Sequence, residues 1–527
     1  MGYQKRLMGV FLWMYLISCF SFIGGVNGSR NESDSSAVKG VVVIHGKSSI
    51  GKIDNDFVCA TIDWWPPQKC DYGKCSWGHA SLLNLDLNNK ILLNAIRAFS
   101  PLKIRLGGTL QDKVIYETKE NRQTCTPFVL NSKVMFGFSH GCLPMKRWDE
   151  LNSFFQKAGV NVIFGLNALT GRSFKYGTAV GPWNYANAES FIRYTVRRNY
   201  TIHGWELGNE LCGTGVGTRV TADQYANDVI VLRKIVDDVY RKVEPKPLVI
   251  APGGFYDANW FKEFLNKSGK SANVVTHHIY NLGPGVDDHI TEKILNPSYL
   301  DGVAGTFSSL KNVLQGSATS AKAWVGESGG AYNSGHHLVS DAFADSFWYL
   351  DQLGMSATYG TESYCRQTLI GGNYGLLNTT TFMPNPDYYS ALLWHRLMGG
   401  RVLSTTFYET KKIRTYAHCA KESTGITILF LNLDNSTTVN TQVALNFAKK
   451  PVSHVGKSLR REYHLTAKDG NIHSQTMLLN GNILSVNSDG AIPQLNPIYV
   501  DSSKPIIVGP LSIVFVHIPD AAVLACS

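Results

Sequence analysis

Eight short apolar runs alternate with amphipathic stretches between residues 57 and 362, and this repetition constrains the fold more than any other feature of the chain. Largely apolar runs are typical of parallel strands that are buried on both faces. One intervening stretch, residues 221–242, carries its apolar side chains at helical spacing. Eight strand–helix units predict an α/β protein built on a (β/α)8 TIM barrel. The predicted strands are residues 57–63, 103–109, 161–169, 202–210, 248–254, 274–280, 321–328 and 356–362.

The chain has 527 residues, which is enough for a second domain. Beyond about residue 401 the pattern changes to strand-like runs at residues 426–432, 441–447, 462–465 and 505–518, separated by Asn, Asp and Gly turns. We therefore predict the (β/α)8 barrel over residues 41–400 and an all-β sandwich over residues 401–527. A short run at residues 41–44 precedes the barrel and can instead join the β domain.

The first 28 residues have the pattern of a secretory signal peptide. Lys5 and Arg6 precede an apolar run over residues 7–23, and small residues at 24–28 offer a cleavage site. An uncleaved anchor is the alternative, and no later run is apolar for ~18 residues, so no other transmembrane span is expected. Residues 29–40 are a polar lead-in that we expect to be flexible. The predicted destination is extracellular or vacuolar, through the secretory pathway.

Sequons and cysteines agree with that route. Asn-x-Ser/Thr triplets predict glycosylation at Asn31, Asn199, Asn266, Asn378 and Asn435. Of ten cysteines, Cys19 is lost with the signal, so at least one remaining thiol is expected to be free or paired between chains. Cys70 and Cys75 lack a second ligand pair at zinc-site spacing, which leaves a local disulfide or two buried thiols.

The formal net charge of +10 favours an anionic partner such as an acidic glycan, although many extracellular proteins are simply basic. Neither zinc-finger spacing nor a basic helix nor a single-strand-binding motif accompanies this charge, so nucleic acid is not an expected partner. The sequence implies no metal and no organic cofactor.

Two of the predicted strands end at glutamates, in residues 205–210 (WELGNE) and 324–327 (WVGE). The C-terminal ends of barrel strands meet at one face, so Glu210 and Glu327 are expected over one pocket. Two facing carboxylates suffice to cleave a glycosidic bond. We assign Glu210 as acid/base, with its pKa raised by the ionised partner, and Glu327 as nucleophile. The structural alternatives are a helix cap for Glu210 and a salt-bridged rim carboxylate for Glu327.

Neighbouring side chains fit this chemistry. Asn209 is placed to hydrogen-bond the sugar 2-hydroxyl, and Tyr280 to donate its hydroxyl to Glu327. Arg105 is a cation inside an apolar strand and requires a buried carboxylate, which either Glu327 or Glu206 would supply.

Several stretches resemble glycoside hydrolase family 79, with its plant heparanase-like and β-glucuronidase members. They are residues 61–63 (TID), 105–109 (RLGGT), 205–210, 277–280 (HHIY), 327–332 (ESGGAY) and 372–375 (GNYG). The resemblance runs from about residue 41 to the C-terminus and implies Glu210 as acid/base and Glu327 as nucleophile. It also implies a disulfide between Cys419 and Cys526. The sugar-binding residues that it implies are Asp63, Thr109, Asn333, Ser334, Gly335 and Tyr374, the last four as a clamp on the carboxylate of glucuronic acid.

The sequence also departs from the members that cut heparan sulfate. Those carry a long excised linker after the second strand, whereas residues 111–144 are short here, and no lysine follows Glu210 in residues 211–215. We predict a single uncut chain that acts as a secreted retaining β-glucuronidase on a glycan or a phenolic (flavone) glucuronide. The alternatives are an endo-acting hydrolase of an acidic polysaccharide and a catalytically dead carbohydrate-binding protein. The complete set of active-site residues argues against the second.

Overall fold

The computed structural model describes residues 37–120, 125–446 and 458–527. The predicted signal peptide, most of the lead-in and Asn31 lie outside these residues. Within the described ranges, no helix is both long enough and apolar enough to cross a lipid bilayer.

Eight parallel strands close into a barrel, as predicted. Each strand pairs with the next one along the chain, and the eighth pairs with the first. The first two strands are buried along their whole length, including the polar side chains of Thr61, Asp63, Lys103 and Arg105. The barrel strands are Val58–Asp63, Leu102–Gly107, Val160–Leu166, Gly204–Leu207, Leu248–Phe255, Val274–Ile279, Lys322–Ser328 and Thr361–Arg366.

Helices alternate with the barrel strands along the chain. The helix predicted at residues 221–242 is Ala222–Val239, which begins after Thr221 because the threonine hydroxyl accepts a hydrogen bond from the Gln224 backbone amide. Three two-stranded sheets lie in the loops and pair Val114–Tyr116 with Gly141–Leu143, Ser173–Lys175 with Thr178–Val180, and Gly283–Pro284 with Ala331–Tyr332. The other α-helices are Lys90–Arg97, Met145–Ala158, Ala186–Arg197, Ala258–Ser268, Ile290–Ile294, Pro297–Asp301, Ala304–Gln315, Phe343–Thr358 and Pro386–Leu397.

The position predicted for the eighth strand is wrong. Residues 356–362 cover the end of the helix Phe343–Thr358, a turn, and only the start of the strand Thr361–Arg366. That helix is buried on almost every side, so its apolar residues lack the one-sided spacing that distinguishes a surface helix from a buried strand. Gly360, with φ of +86°, provides the left-handed turn between the two elements.

Four disulfides lie within the described residues. Cys59 and Cys365 occupy paired positions on the first and eighth barrel strands, so their disulfide fastens the barrel where it closes. A local disulfide joins Cys70 to Cys75, which is one of the two outcomes expected for that pair. The remaining disulfides are Cys125–Cys142 and the expected Cys419–Cys526. The unpaired thiol among the described cysteines is Cys212, which is buried.

The C-terminal part forms a twelve-stranded sheet. The N-terminal strand Val38–His45 belongs to it, parallel to Val439–Asn446 and antiparallel to Met398–Thr406. The run before the barrel therefore joins the β part, while the sandwich architecture and the domain boundaries stay predictions. The other strands of the sheet are Gly51–Lys52, Ile413–Ala420, Ile426–Asn432, Leu459–Ala467, Met477–Leu479, Asn482–Ile483, Ile498–Asp501, Ile506–Val508 and Ile513–Ile518.

Candidate active site

Glu210 and Glu327 meet at the C-terminal end of the barrel, as predicted. Glu327 is the penultimate residue of the seventh strand, Lys322–Ser328, and Glu210 follows shortly after the fourth, Gly204–Leu207. Both side chains are buried, and carboxylate oxygens of the two residues lie within 4.8 Å of each other. They also border the same cavity.

The backbone holds Glu210 in an uncommon conformation. Its φ of 55° lies in the left-handed region, which residues with side chains seldom occupy. The Glu210 amide donates a hydrogen bond of 2.6 Å to the Gly253 carbonyl, and the Glu210 carbonyl accepts one of 2.9 Å from the Val216 amide. These two bonds keep the residue in this conformation at the mouth of the barrel.

Burial raises the pKa of Glu210 to about 7, while the charge of Arg105 opposes that rise. The expectation that the partner carboxylate is the cause is therefore wrong. Burial also lowers the pKa of His278 to about 4, so this imidazole is neutral at pH 7. Its Nδ1 lies 3.0 Å from Oε1 of Glu210. Glu210 is thus a carboxyl group that holds or releases a proton near neutrality.

Two donors fix the carboxylate of Glu327. The Tyr280 hydroxyl donates to Oε1 at 2.6 Å, and Nη1 of Arg105 donates to Oε2 at 2.8 Å. Both contacts were predicted. Arg105 also binds Glu206, the other carboxylate predicted as its partner, because its Nε donates to Oε2 of Glu206 at 2.6 Å. Its Nη2 donates to Oδ1 of Asn209 at 2.8 Å. One buried guanidinium therefore orients the predicted nucleophile and two neighbouring side chains.

A cavity of ≈ 330 Å³ opens above the two glutamates. Most of the predicted sugar-binding residues line it, namely Asp63, Thr109, Tyr280, Asn333, Ser334 and Tyr374. Asn209 does not line it. That residue is buried below, with its backbone amide donating to Oδ2 of Asp112 at 2.8 Å. Gly335 lines a neighbouring cavity of ≈ 270 Å³, which shares Asp71, Asn333 and Ser334 with the first.

Asp63 ends the first strand inside this cavity. Burial, together with the nearby charge of Glu327, raises the pKa of Asp63 well above its usual range. Nε2 of Gln367 donates a hydrogen bond to its Oδ2. Gly108 packs against it so closely that a Cβ at position 108 would lie 1.7 Å from Oδ1 of Asp63. The second glycine of the RLGGT stretch is therefore required by this contact.

Sequence reasoning missed several lining residues, half of them on the loop over residues 64–78. The available signal was the Cys70 and Cys75 pair, which follows soon after the end of a predicted strand, where barrel enzymes build their sites. Gln367 was missed because the eighth strand was misplaced. The missed residues are Trp65, Lys69, Asp71, Trp77, Val216, Phe255, Tyr332 and Gln367.

Among the described residues, Glu210, His278 and Glu327 also offer possible metal-ligand atoms within 4.8 Å of one another. In this structure those side chains engage each other, Tyr280 and Arg105. A second group contains Cys125 and Cys142, whose sulfurs form a disulfide. Glycosidic cleavage by two carboxylates needs no metal, and the expectation of none stays a prediction.

Known proteins resemble this chain over most of its length. Residues 39–354 match the family described as Glycosyl hydrolase family 79, N-terminal domain. Heparanase-like protein 3 of Arabidopsis thaliana is 63% identical over 513 residues, which cover 94% of this chain and 96% of that protein. Baicalin-beta-D-glucuronidase of Scutellaria baicalensis is 44% identical over 536 residues, covering 98% and 97%.

A solved structure supports the same fold. The 4-O-alpha-L-rhamnosyl-beta-D-glucuronidase from Fusarium oxysporum 12S aligns with a TM-score of 0.65, covering 90% of this chain and 100% of that one. At 16% sequence identity, this likeness concerns the fold alone.

Proposed function

Because this chain belongs to glycosyl hydrolase family 79, we propose that it is a retaining β-glucuronidase that releases terminal β-D-glucuronic acid from a glycan or a phenolic glucuronide. The observation that carries the proposal is the approach of Glu210 and Glu327, whose carboxylate oxygens lie within 4.8 Å. Retaining glycosidases hold their carboxyl groups about 5–5.5 Å apart, whereas inverting enzymes need roughly 6.5–9.5 Å to admit a water.

In the first step, one oxygen of Glu327 attacks the anomeric carbon and forms a glycosyl ester. The bond from that carbon to the leaving oxygen breaks, and Glu210 gives its proton to this oxygen. The raised pKa of Glu210, about 7, suits this task because the group still carries a proton near neutrality. Arg105 and Tyr280 orient the attacking carboxylate through their two hydrogen bonds.

In the second step, Glu210 acts as a base. It takes a proton from a water molecule, and the oxygen of that water attacks the anomeric carbon from the face that the aglycone has left. The ester bond to Glu327 breaks, and glucuronic acid leaves with its original anomeric configuration. Both glutamates then return to their starting protonation states.

The glycone is held on the side of the cavity that Asp63, Ser334 and Tyr374 line. Asp63 is buried in this lining and accepts a hydrogen bond from Nε2 of Gln367 through one oxygen, which leaves its other oxygen to hydrogen-bond a sugar hydroxyl. Tyr374 and the backbone of residues 333–335 form the proposed carboxylate clamp. Asn209 does not line the cavity, and its Oδ1 accepts a hydrogen bond from Arg105, so we assign it to positioning that guanidinium rather than to binding the 2-hydroxyl.

The test compares hydrolysis of a nitrophenyl β-D-glucuronide with that of the matching β-D-glucoside, and follows the first-formed anomer by NMR. We expect turnover of the glucuronide with retention, and its loss in Glu327→Gln whatever the leaving group. Inversion of configuration, or an active Glu327→Gln variant, would refute the two-step mechanism. Equal turnover of both substrates would refute the specificity.

A second candidate, an endo-acting hydrolase of an acidic polysaccharide, is favoured by the neighbouring cavity. It adjoins the catalytic cavity through Asp71, Asn333 and Ser334, and so offers room for another sugar unit. Incubation with a glucuronic-acid-containing polysaccharide distinguishes the two candidates. Free glucuronic acid as the only early product supports the first, and early oligosaccharides support the second.

The disulfides support a secretory route, because such bonds persist in oxidising compartments. Three sequon asparagines, Asn199, Asn266 and Asn435, are exposed, and Asn378 is half-buried. Mass spectrometry of the protein from its own tissue, before and after removal of N-glycans, tests their occupancy. The identity of its N-terminal peptide tests the predicted signal-peptide cleavage near residue 28. A single polypeptide on a denaturing gel would support the prediction that the mature chain is not cut in two.

A further inference from the structure

The loop over residues 64–78 brings one ammonium group to a pocket rich in carboxyl groups. Among the described residues that line the catalytic cavity, Lys69 is the single lysine, and no arginine accompanies it. The acidic lining residues are Asp63, Asp71, Glu210 and Glu327. An anionic sugar that enters this pocket meets one cation at its surface, and the position of that cation therefore matters for specificity.

Lys69 is held in place while donors remain open for a ligand. Its Nζ lies 2.6 Å from Oδ1 of Asp71 and 4.7 Å from the centre of the Trp65 ring. The side chain is 20% exposed, so it is partly withdrawn from water. An ammonium group has three N–H donors, and Asp71 is its one hydrogen-bond partner among the residues described. Two donors are thus free to bind a carboxylate.

A chain of hydrogen bonds ties this ammonium to the proposed clamp. Nε1 of Trp77 donates to Oγ of Ser334 at 2.9 Å, and that hydroxyl donates to Oδ2 of Asp71 at 2.5 Å. Asp71 therefore binds Ser334 through one oxygen and Lys69 through the other. The Cys70–Cys75 disulfide encloses Asp71 and begins at the residue after Lys69. The cation is fixed on the Ser334 side of the pocket.

We propose that Lys69 determines specificity for uronic acids by pairing its ammonium group with the carboxylate of the bound glucuronic acid. This inference rests on the proposed β-glucuronidase function and adds a charged partner to the clamp. A neutral glucoside carries a hydroxymethyl group at the same position and forms no ion pair. The contact therefore stabilises the glucuronide complex selectively.

The primary experiment measures kcat/KM of the wild type and of Lys69→Met on a nitrophenyl β-D-glucuronide and on the matching β-D-glucoside. We expect a loss of roughly 10- to 100-fold on the glucuronide, the range for a hydrogen bond to a charged group, chiefly through KM. Activity on the glucoside should not fall. Lys69→Arg should retain most of the glucuronide activity, and Lys175→Met, at an exposed lysine outside the linings of both cavities, should match the wild type.

Asp71 requires a control of its own, because Lys69→Met leaves that carboxylate unpaired beside the substrate. The double variant Lys69→Met/Asp71→Asn removes this repulsion. If Lys69 binds the substrate, the double variant remains impaired on the glucuronide. Recovery of wild-type activity in the double variant would overturn the proposal, as would an unchanged glucuronide-to-glucoside ratio in Lys69→Met.

A binding experiment tests the role of Lys69 independently of the proposed β-glucuronidase activity. If the wild type hydrolyses neither substrate, the proposed function fails, and Lys69 is then tested by titration with D-glucuronate and D-glucose. Wild-type binding of D-glucuronate that Lys69→Met weakens about 10-fold or more supports the inference. Equal affinity in both proteins, or no binding of D-glucuronate by the wild type, overturns it.

Discussion

The hydroxyl of Tyr280, the residue that follows the neighbouring barrel strand, donates a 2.6 Å hydrogen bond to Oε1 of Glu327. The sixth and seventh strands are paired so that His278 lies opposite Glu327, which places Tyr280 just beyond the carboxylate. Nη1 of Arg105, a residue of the second strand, donates a hydrogen bond to the other carboxylate oxygen of Glu327. The barrel therefore presets the orientation of this carboxylate before any substrate binds.

Replacing Tyr280 by Phe should lower kcat on an aryl β-glucuronide by roughly 10- to 100-fold, the effect of one hydrogen bond to a charged group. The fold should be retained, because the ring stays and only the hydroxyl is lost. Circular dichroism checks the fold, and Tyr408→Phe, at an 81% exposed position, is the matched control. A kcat equal to that of the wild type would show that the hydroxyl does not assist Glu327.

The pH profile should fall on its alkaline side with a midpoint near the Glu210 pKa of about 7. Because the proposed first step needs the protonated form of Glu210, kcat/KM should drop about tenfold for each pH unit above that point. Glu210→Gln should abolish this limb and cost roughly 10²- to 10⁴-fold with a poor leaving group, but less with an activated one. An alkaline limb that persists in Glu210→Gln would assign it to another group.

The barrel and its two glutamates could be predicted because both depend on local patterns. Strand periodicity is contained within each run, and the ends of parallel strands converge at one face whatever the loops do. The burial of Arg105 followed from a charge placed inside an apolar strand, and the structure provides both carboxylates that were considered.

The loop over residues 64–78 could not be predicted, because its shape depends on contacts with distant residues. Asp71 meets Ser334 across 263 positions, and no local pattern contains that contact. The Cys59–Cys365 pairing likewise follows from barrel closure, while the sequence permits many other pairings. Gln367 was not predicted as a site residue because the eighth strand was placed too early in the sequence. The preceding helix, Phe343–Thr358, is almost entirely buried and therefore lacks the exposed polar face by which a helix is identified from sequence.

Removing the disulfide that closes the barrel should destabilise the protein more than removing the local one. The Cys59–Cys365 link spans 306 positions and the Cys70–Cys75 link spans 5, so the first restricts the unfolded chain far more. We expect Cys59→Ala/Cys365→Ala to lower the free energy of unfolding by about 2–5 kcal/mol. Urea unfolding of the two double variants measures the difference. Equal losses would contradict the loop-length argument.

Truncating Phe255 should weaken binding of aromatic aglycones selectively. In the proposed mechanism the aglycone leaves on the Glu210 side, and the apolar side chains of Phe255 and Val216 line the same cavity as Glu210 although they are 41% and 37% exposed. Exposed apolar side chains at a pocket rim indicate an apolar ligand surface. Phe255→Ala should therefore raise KM for an aryl β-glucuronide by roughly 10-fold, as expected for a partly buried aromatic contact.

Methyl β-D-glucuronide provides the control for that variant, because it has no ring to contact Phe255. Its turnover still requires Tyr280, whose ring centre lies 6.2 Å from that of Phe255 and which the truncation could loosen. An aryl-specific rise in KM assigns Phe255 to the aglycone. Equal losses on the methyl and aryl substrates would instead mean that Phe255 supports Tyr280. Phe174→Ala, at a 52% exposed position outside the cavity lining, should change neither.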